Sequence, residues 1–312
     1  MTFTPMHYGL YFTPEHIKTA RQNANREPFK TAGERLASFT FTGAPHPADL
    51  LMAGLIRRFF ENETVGERAI NPLIAATDRT RAAHVSDLDE IGDLLTLAHS
   101  FECLRDHAAF NQAHIALWLD AFAARVDDAN TRSENASPLE TLWLALLNVA
   151  AGIVLEDEAR FQAGVDVFTA TIREDVRPQG FIPKAVDGAD GGSMRRQVLS
   201  SAALVLMAEA AAHVGVDLWS YAVRGVSAAT TAIYPIYYFY TVEKWTWDAV
   251  VTVEDVQAIF RAHGGYLEIV HRRTGLKDIR TVLDDLRPVW DARGGGLTSL
   301  THGIPIRRGL FG

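Results

Sequence analysis

The sequence predicts an all-α protein, an (α/α) toroid or incomplete toroid of helical hairpins, built as one domain over residues 1–312. Three observations carry this expectation. Apolar residues recur at three- and four-residue spacing in about ten segments of ordinary helix length. Short polar turns separate most of these segments, and strand signals are scarce. Successive helices joined by short turns pack as antiparallel hairpins, and repeated hairpins close into a bundle, a solenoid or a toroid. No repeat recurs at a fixed period, which speaks against a regular solenoid. An irregular toroid tolerates that and leaves a cleft on one face.

Taken in order, Thr13-Pro14-Glu15 reads as a helix start, with Thr13 as cap, Pro14 where a missing N–H costs nothing and Glu15 against the helix dipole. That helix is expected to reach about residue 25. The next two are placed at 46–62, with Asn62 as the stop, and at 66–77. Residues 87–103 and 110–126 form a hairpin whose faces carry Leu94, Leu95, Leu97, Ala98 and Phe101 on one side and Ile115, Trp118, Leu119 and Phe122 on the other. A polar loop is expected at 127–138, followed by helices at 139–155 and 158–172. Residues 194–214 form a long apolar helix. The segment TTAIYPIYYFYTVEKWTWD reads as a helix plus aromatic loop, although Trp245 and Trp247 have the spacing of strand neighbours on one face. Thr252 opens another helix with a capping-box spacing to Asp255, residues 276–286 form the last, and DARGGGLTSLTHGIP reads as a glycine-rich loop.

Composition excludes several classes. Hydrophobic residues are 48% and charged residues 22%, ordinary for a folded chain. With 38 acidic against 30 basic residues the net charge is -8, so neither nucleic acid nor an anionic membrane surface is expected as a partner. A local basic cleft stays open to Arg195, Arg196, Arg272, Arg273 and Arg280. No apolar run is expected to span a bilayer, the helix around 200–215 being too short and carrying Glu209. The N-terminus MTFTPMHYGLYFTPEH lacks the pattern of a secretory signal. The single cysteine, Cys103, allows no internal disulfide and reads as a small core residue.

There is no GxxxxGK[ST], no GxGxxG after a strand, no HExxH and no GxSxG. His99, His107 and His114 recur at intervals of seven to eight residues, but two helical turns separate ligands by about 11 Å, too far for one ion. No metal and no cofactor are expected.

The informative stretch is 180–221: Gly-Phe-Ile-Pro, a glycine-rich turn, Arg195-Arg196, then a helix ending VLMAEAAAHVGVDLW. This stretch resembles the C-terminal half of the alginate lyase superfamily of polysaccharide lyases, which are α/α toroids, and the upstream helices and the tail Arg287-Pro288 with GGLTSLTHG are similar to related uronan lyases. The resemblance implies cleavage of a β-1,4-linked uronate polymer, glucuronan or polymannuronate, by β-elimination, with an acidic polysaccharide or oligosaccharide as partner. Such chemistry needs a neutraliser for the carboxylate, a base for the C5 proton and an acid for the leaving O4.

On residue matching, Ser133-Glu134-Asn135-Ala136 before Trp143 lies where the superfamily has Asn-Asn-His, making Asn135 the neutraliser and putting Ala136 or Ser137 where the histidine stands. Arg195 or Arg196 matches the superfamily arginine. The following tyrosine has no counterpart in 197–201, so the base is sought in Tyr234, Tyr237, Tyr238 and Tyr240, with Tyr238 foremost, or in His302. Tyr234, Tyr237, Trp245, Trp247 and Arg280 are the expected sugar and carboxylate contacts. Each also has a structural reading: Asn135 as a helix cap, the arginines as a solvated helix terminus, His302 as a loop hydrogen-bonding group and the aromatics as packing. Two other functions stay open, a noncatalytic carbohydrate-binding toroid and a toroid glycoside hydrolase using carboxylates such as Asp187, Asp190 or Glu140.

Overall fold

A computed structural model describes residues 3–78, 87–132, 135–188, 190–248 and 252–306. Ser133 and Glu134 of the expected neutraliser segment therefore lie outside the described residues. Among the described residues there are fifteen α-helices and no strand: α1 (Pro14–Gln22), α2 (Phe29–Ala37), α3 (Pro47–Phe60), α4 (Glu63–Thr77), α5 (Asp87–Leu104), α6 (Gln112–Arg132), α7 (Pro138–Leu155), α8 (Glu158–Ala170), α9 (Pro183–Val186), α10 (Ser193–His213), α11 (Ala228–Ile233), α12 (Val253–His263), α13 (Tyr266–Thr274), α14 (Lys277–Leu286) and α15 (Thr298–Thr301).

Their packing is that of an (α/α) toroid. The inner ring runs α3, α5, α7, α10, α13, each against the next, while α4, α6, α8, α12 and α14 pack outside. The ring is completed where α15 meets α13, α1 and α2, which in turn meet α3. The inner helices are the apolar ones: nearly all of α5 and most of α7 and α10 are buried. Trp118 stacks on Phe101 at 3.9 Å and on Phe122 at 4.8 Å, tying α6 to α5.

Hairpin alternation leaves the inner helices pointing the same way, so the ring has an N-terminal and a C-terminal face. Side chains confirm the second: the His7 ring lies between Glu102 at the end of α5 and Glu156 just past α7, while Arg58 at the end of α3 donates to the Glu102 carbonyl.

Several elements differ from expectation. Helix α3 ends at Phe60, where Glu61 turns left-handed (φ 54°), and Asn62 caps α4 by accepting the Val65 N–H at 3.1 Å instead of stopping α3. Helix α6 continues through the expected loop to Arg132, because Val126 and Ala129 extend its buried face and Arg132 ends it with ion pairs to Asp87, Glu90 and Asp128. Helices α2 and α13 went unread. Trp245 and Trp247 lie in an irregular segment after two 3₁₀ turns, with no strand beneath them. The most apolar long helix is α7, not α10: its 18 residues have mean hydropathy 1.7, enough by length and composition to cross a membrane, yet 72% of them are buried within the toroid, as in a core helix.

Candidate active site

The N-terminal face collects most of the residues that the sequence singles out. Helix α7 starts at a capping box, Ser137 N–H to Glu140 Oε2 at 2.8 Å and Glu140 N–H to Ser137 Oγ at 3.3 Å. Helix α10 starts on Asp248, whose carboxylate accepts the Gly191 N–H at 3.1 Å, the Ser193 N–H at 2.9 Å and the Ser193 hydroxyl. An anion there satisfies orphan donors and complements the helix dipole.

The same serine fixes an aromatic wall. Trp245 Nε1–H donates to Ser193 Oγ at 2.8 Å, and Tyr238 packs edge-on against Trp245 with centroids 4.9 Å apart. The Tyr234 hydroxyl lies 3.3 Å from that of Tyr238 and accepts from Trp247 Nε1 at 3.2 Å. Phe181 closes the group, 4.9 Å from Trp247. Gly180 makes this approach possible: its φ is +107°, and a Cβ there would stand 2.5 Å from the Thr230 carbonyl oxygen.

Two cavities open beside α7. One, of about 230 Å³, lies between α7, α8 and the start of α10 and is lined by Ala136, Thr141, Asp175, Lys184 and Ser200 among others. Its outer wall includes Thr171 and Asp175 from a π-helical turn (Thr171–Asp175) that follows α8, a local widening often found at functional sites. The other, of about 150 Å³, is lined by Asp87, Arg132, Asn135, Ala136 and Glu140. Ala136 borders both, at the position where the resemblance places a histidine.

Two residues that the sequence reading missed sharpen the electrostatics. His263 ends α12, and burial, then Arg195 and Arg293, push its pKa down to about 4. It is therefore neutral at pH 7, a proton acceptor beside two cations. Arg293 is held by Asp89 at 2.5 Å and Asp93 at 3.8 Å on the first turns of α5, and its side chain fills the space that Gly92 leaves open. Arg195 itself is exposed, with no ion pair or hydrogen bond among the described residues. The only sequence hints were a histidine before Gly264-Gly265 and an arginine inside a triple-glycine turn, neither of which reveals its neighbours.

The remaining candidates separate. Arg196 is engaged by Asp190 at 2.8 Å, the Ala185 carbonyl at 2.8 Å and the Asp187 carbonyl at 3.0 Å, so it braces the turn before α10. Asn135 is exposed at the smaller cavity. Tyr237 is exposed, and the Tyr240 hydroxyl turns to Asp285 at 2.7 Å on α14. Arg280, on α14, borders a separate cavity of about 340 Å³ with His271 and Lys277. His302 is fully buried against Glu209, about 20 Å along α10 from Arg195, so it does not meet the arginines. His99 is wedged against Tyr11 and Phe12, His107 meets the Glu63 carbonyl and His114 pairs with Asn111, so these three hold no common ion. His16, Glu209 and His302, by contrast, converge on the C-terminal face.

The profile of the family described as Alginate lyase matches residues 67–245. No curated protein matches. Among solved structures, alginate lyase A1-III from Sphingomonas species A1 aligns with TM-score 0.70 at 14% identity, over 82% of this chain and 74% of that one. A variant of A1-III complexed with a tetrasaccharide aligns at 0.71 and 14%, over 83% and 75%. An alginate lyase from Bacteroides ovatus aligns at 0.66 and 10%, over 95% and 99%. At these identities the alignments establish the toroid, and the profile establishes the family.

Proposed function

Because this chain belongs to the alginate lyase family of polysaccharide lyases, we propose that it cleaves a β-1,4-linked mannuronate or glucuronate polymer by β-elimination at the N-terminal face of the ring. The observation that carries the reading is neutral His263 held beside Arg195 and Arg293. A uronate carboxylate bound by these guanidiniums would have its developing enediolate charge offset, the task required of the neutraliser. Burial is the main cause of the low His263 pKa, and the same anion would offset the smaller part that the two guanidiniums add, raising its basicity somewhat as substrate arrives. His263 then takes the C5 proton, the C4–O4 bond breaks as the C4–C5 double bond forms, and an acid returns a proton to O4.

Tyr234 is a suitable acid: burial pushes its pKa up to about 12, so its hydroxyl stays protonated. Tyr238, Trp245 and Trp247 supply faces for sugar rings. Asn135 stands in the neighbouring cavity as a further carboxylate or hydroxyl donor. Neighbouring structures with this fold are named as alginate lyases, two of them complexed with a tetrasaccharide, which supports an acidic oligosaccharide as ligand.

Incubation with polymannuronate, polyguluronate and glucuronan, with absorbance followed near ~235 nm for the conjugated uronate, tests the reading. A rise on one of the first or third polymers, lost in His263→Ala, is expected; silence on all three overturns it. A binding-only protein is favoured by one observation, Ala136 at the position of the superfamily histidine, and would show retention on a polymer column without any absorbance change.

A further inference from the structure

On the C-terminal face, away from the proposed cleft, three side chains from remote parts of the chain turn one potential ligand atom each toward a common point. These are His16 from α1, Glu209 from α10 and His302 after α15, and the three atoms lie within 4.8 Å of one another. We propose that they bind a first-row divalent cation of the zinc class, which clips the closing seam of the toroid.

The first argument is what each side chain leaves unmade. His302 is 0% exposed and Glu209 1% exposed, yet His302 Nε2 has no hydrogen-bond partner. It stands 3.6 Å from Glu209 Oε1, too long for a hydrogen bond but close to the separation of about 3.3 Å between two donors on one tetrahedral zinc. His213, one turn beyond Glu209, brings its own Nε2 to 3.2 Å from the same Oε1, and both its ring nitrogens also lack hydrogen-bond partners. Buried imidazole nitrogens without partners are costly, and their convergence on one carboxylate oxygen is what a cation would resolve.

The second argument is the outer shell. The Nδ1 of His16 lies 2.9 Å from the Thr13 hydroxyl, and the Nδ1 of His302 lies 2.8 Å from the Thr301 hydroxyl. For His302, a threonine oxygen accepting from Nδ1–H selects the tautomer whose Nε2 lone pair is free to ligate, and the same tautomer is open to His16. The Thr13 backbone N–H also reaches His16 Nδ1 at 3.1 Å, so metal binding would favour the hydroxyl contact over this one. Glu209 is oriented likewise: Oε2 accepts from Trp219 Nε1 at 3.0 Å and from Arg273 at 2.9 and 3.0 Å, which leaves Oε1 facing the histidines. Two imidazoles and one carboxylate, with a third imidazole at the edge, suit zinc, cobalt or nickel far better than calcium or magnesium. Arg272 and Arg273 nearby weaken attraction for a dication, so micromolar rather than nanomolar affinity is expected.

The test uses the full chain, stripped with a chelator and dialysed. Titration with Co²⁺ should give visible ligand-field absorption saturating at one equivalent, competed away by Zn²⁺, and Zn²⁺ should raise the melting temperature by about 5 °C at saturating concentration. His302→Ala and Glu209→Gln should abolish both responses, while His114→Ala, half-buried near the start of α6 and away from the cluster, keeps them. Should either variant fail to fold, the wild-type cobalt titration decides alone. Absence of absorption and of any thermal shift in the wild type overturns the proposal, as does an equal response to Ca²⁺ or Mg²⁺.

Discussion

Trp245 reaches across from the aromatic segment to the first residue of α10, its indole N–H donating to Ser193 Oγ at 2.8 Å while Asp248 holds the same hydroxyl. The aromatic wall and the arginine-bearing helix start are thereby one unit. Trp245→Phe removes the donor and leaves a small void. The expected cost is about 1–2 kcal/mol of stability in urea unfolding. The KM for polymer should rise more than kcat falls, since Tyr238 loses its edge-on support. An unchanged KM would separate the wall from substrate binding.

Arg195 and Arg196 adjoin in sequence but have different duties. Arg195→Ala should lower kcat/KM by about 10²-fold or more with little change in unfolding midpoint, as expected for an exposed guanidinium that meets only substrate. Arg196→Ala should lower the melting temperature, because the Ala185 and Asp187 carbonyls and the Asp190 carboxylate lose their shared donor. Comparison of the two by thermal unfolding and steady-state kinetics checks the assignment.

His263 gives a pH signature. A pKa of about 4 means the free enzyme keeps its base unprotonated well below the usual imidazole range, so kcat/KM should hold down to about pH 4 in a steady-state pH profile. Arg293→Gln removes one repelling cation, makes the imidazolium easier to form and should move the His263 titration modestly upward, burial still holding it below the usual imidazole range, as read by proton NMR. The fold contributes in the same sense: with its folded pKa below the unfolded value, His263 lends stability that is complete above about 6.5 and is lost as pH falls toward 4.

Asp291 acts in the opposite direction. Burial raises its carboxyl to about 6, against the pull of the Gly294 and Arg293 backbone N–H groups. The folded state then binds a proton that the unfolded chain has released, so stability falls as pH rises from about 4 to about 6. The loss is about 2–3 kcal/mol. Asp291→Asn keeps the acceptor for the Gly294 N–H and should flatten this slope, with a higher urea midpoint than wild type at pH 7 and little difference at pH 4.5.

Much of the ring was readable in advance, because apolar spacing reports burial and the inner helices are buried on nearly every side. Caps were readable too where chemistry is local, as at Thr252 and Asp255, whose contacts at 2.7 and 3.1 Å form within four residues. Helix α6 outran its expected end because its last turn is stabilised by Asp87 and Glu90 of α5, partners about forty residues away. The site was harder for the same reason. Arg195 could be named from the stretch it stands in, whereas His263 and Arg293 gain meaning only beside Arg195, and no local pattern encodes a meeting of residues about seventy to a hundred positions apart. The tyrosines were legible as a group, but their pairing with Trp247 and the turning away of Tyr240 depend on the irregular path after α11.

The meeting of α1 with α15 has a kinetic side. Nearly three hundred residues separate these two helices, so their contact carries the largest loop-closure entropy in the ring. Such a junction forms late, after the sequential hairpins have each found their neighbour, and it is where the folded ring opens at lowest cost. Amide exchange should accordingly be fastest among the ordered helices at α1 and α15 and slowest in α7 and α10, making the molecule a spring ring with one gap rather than a uniform hoop.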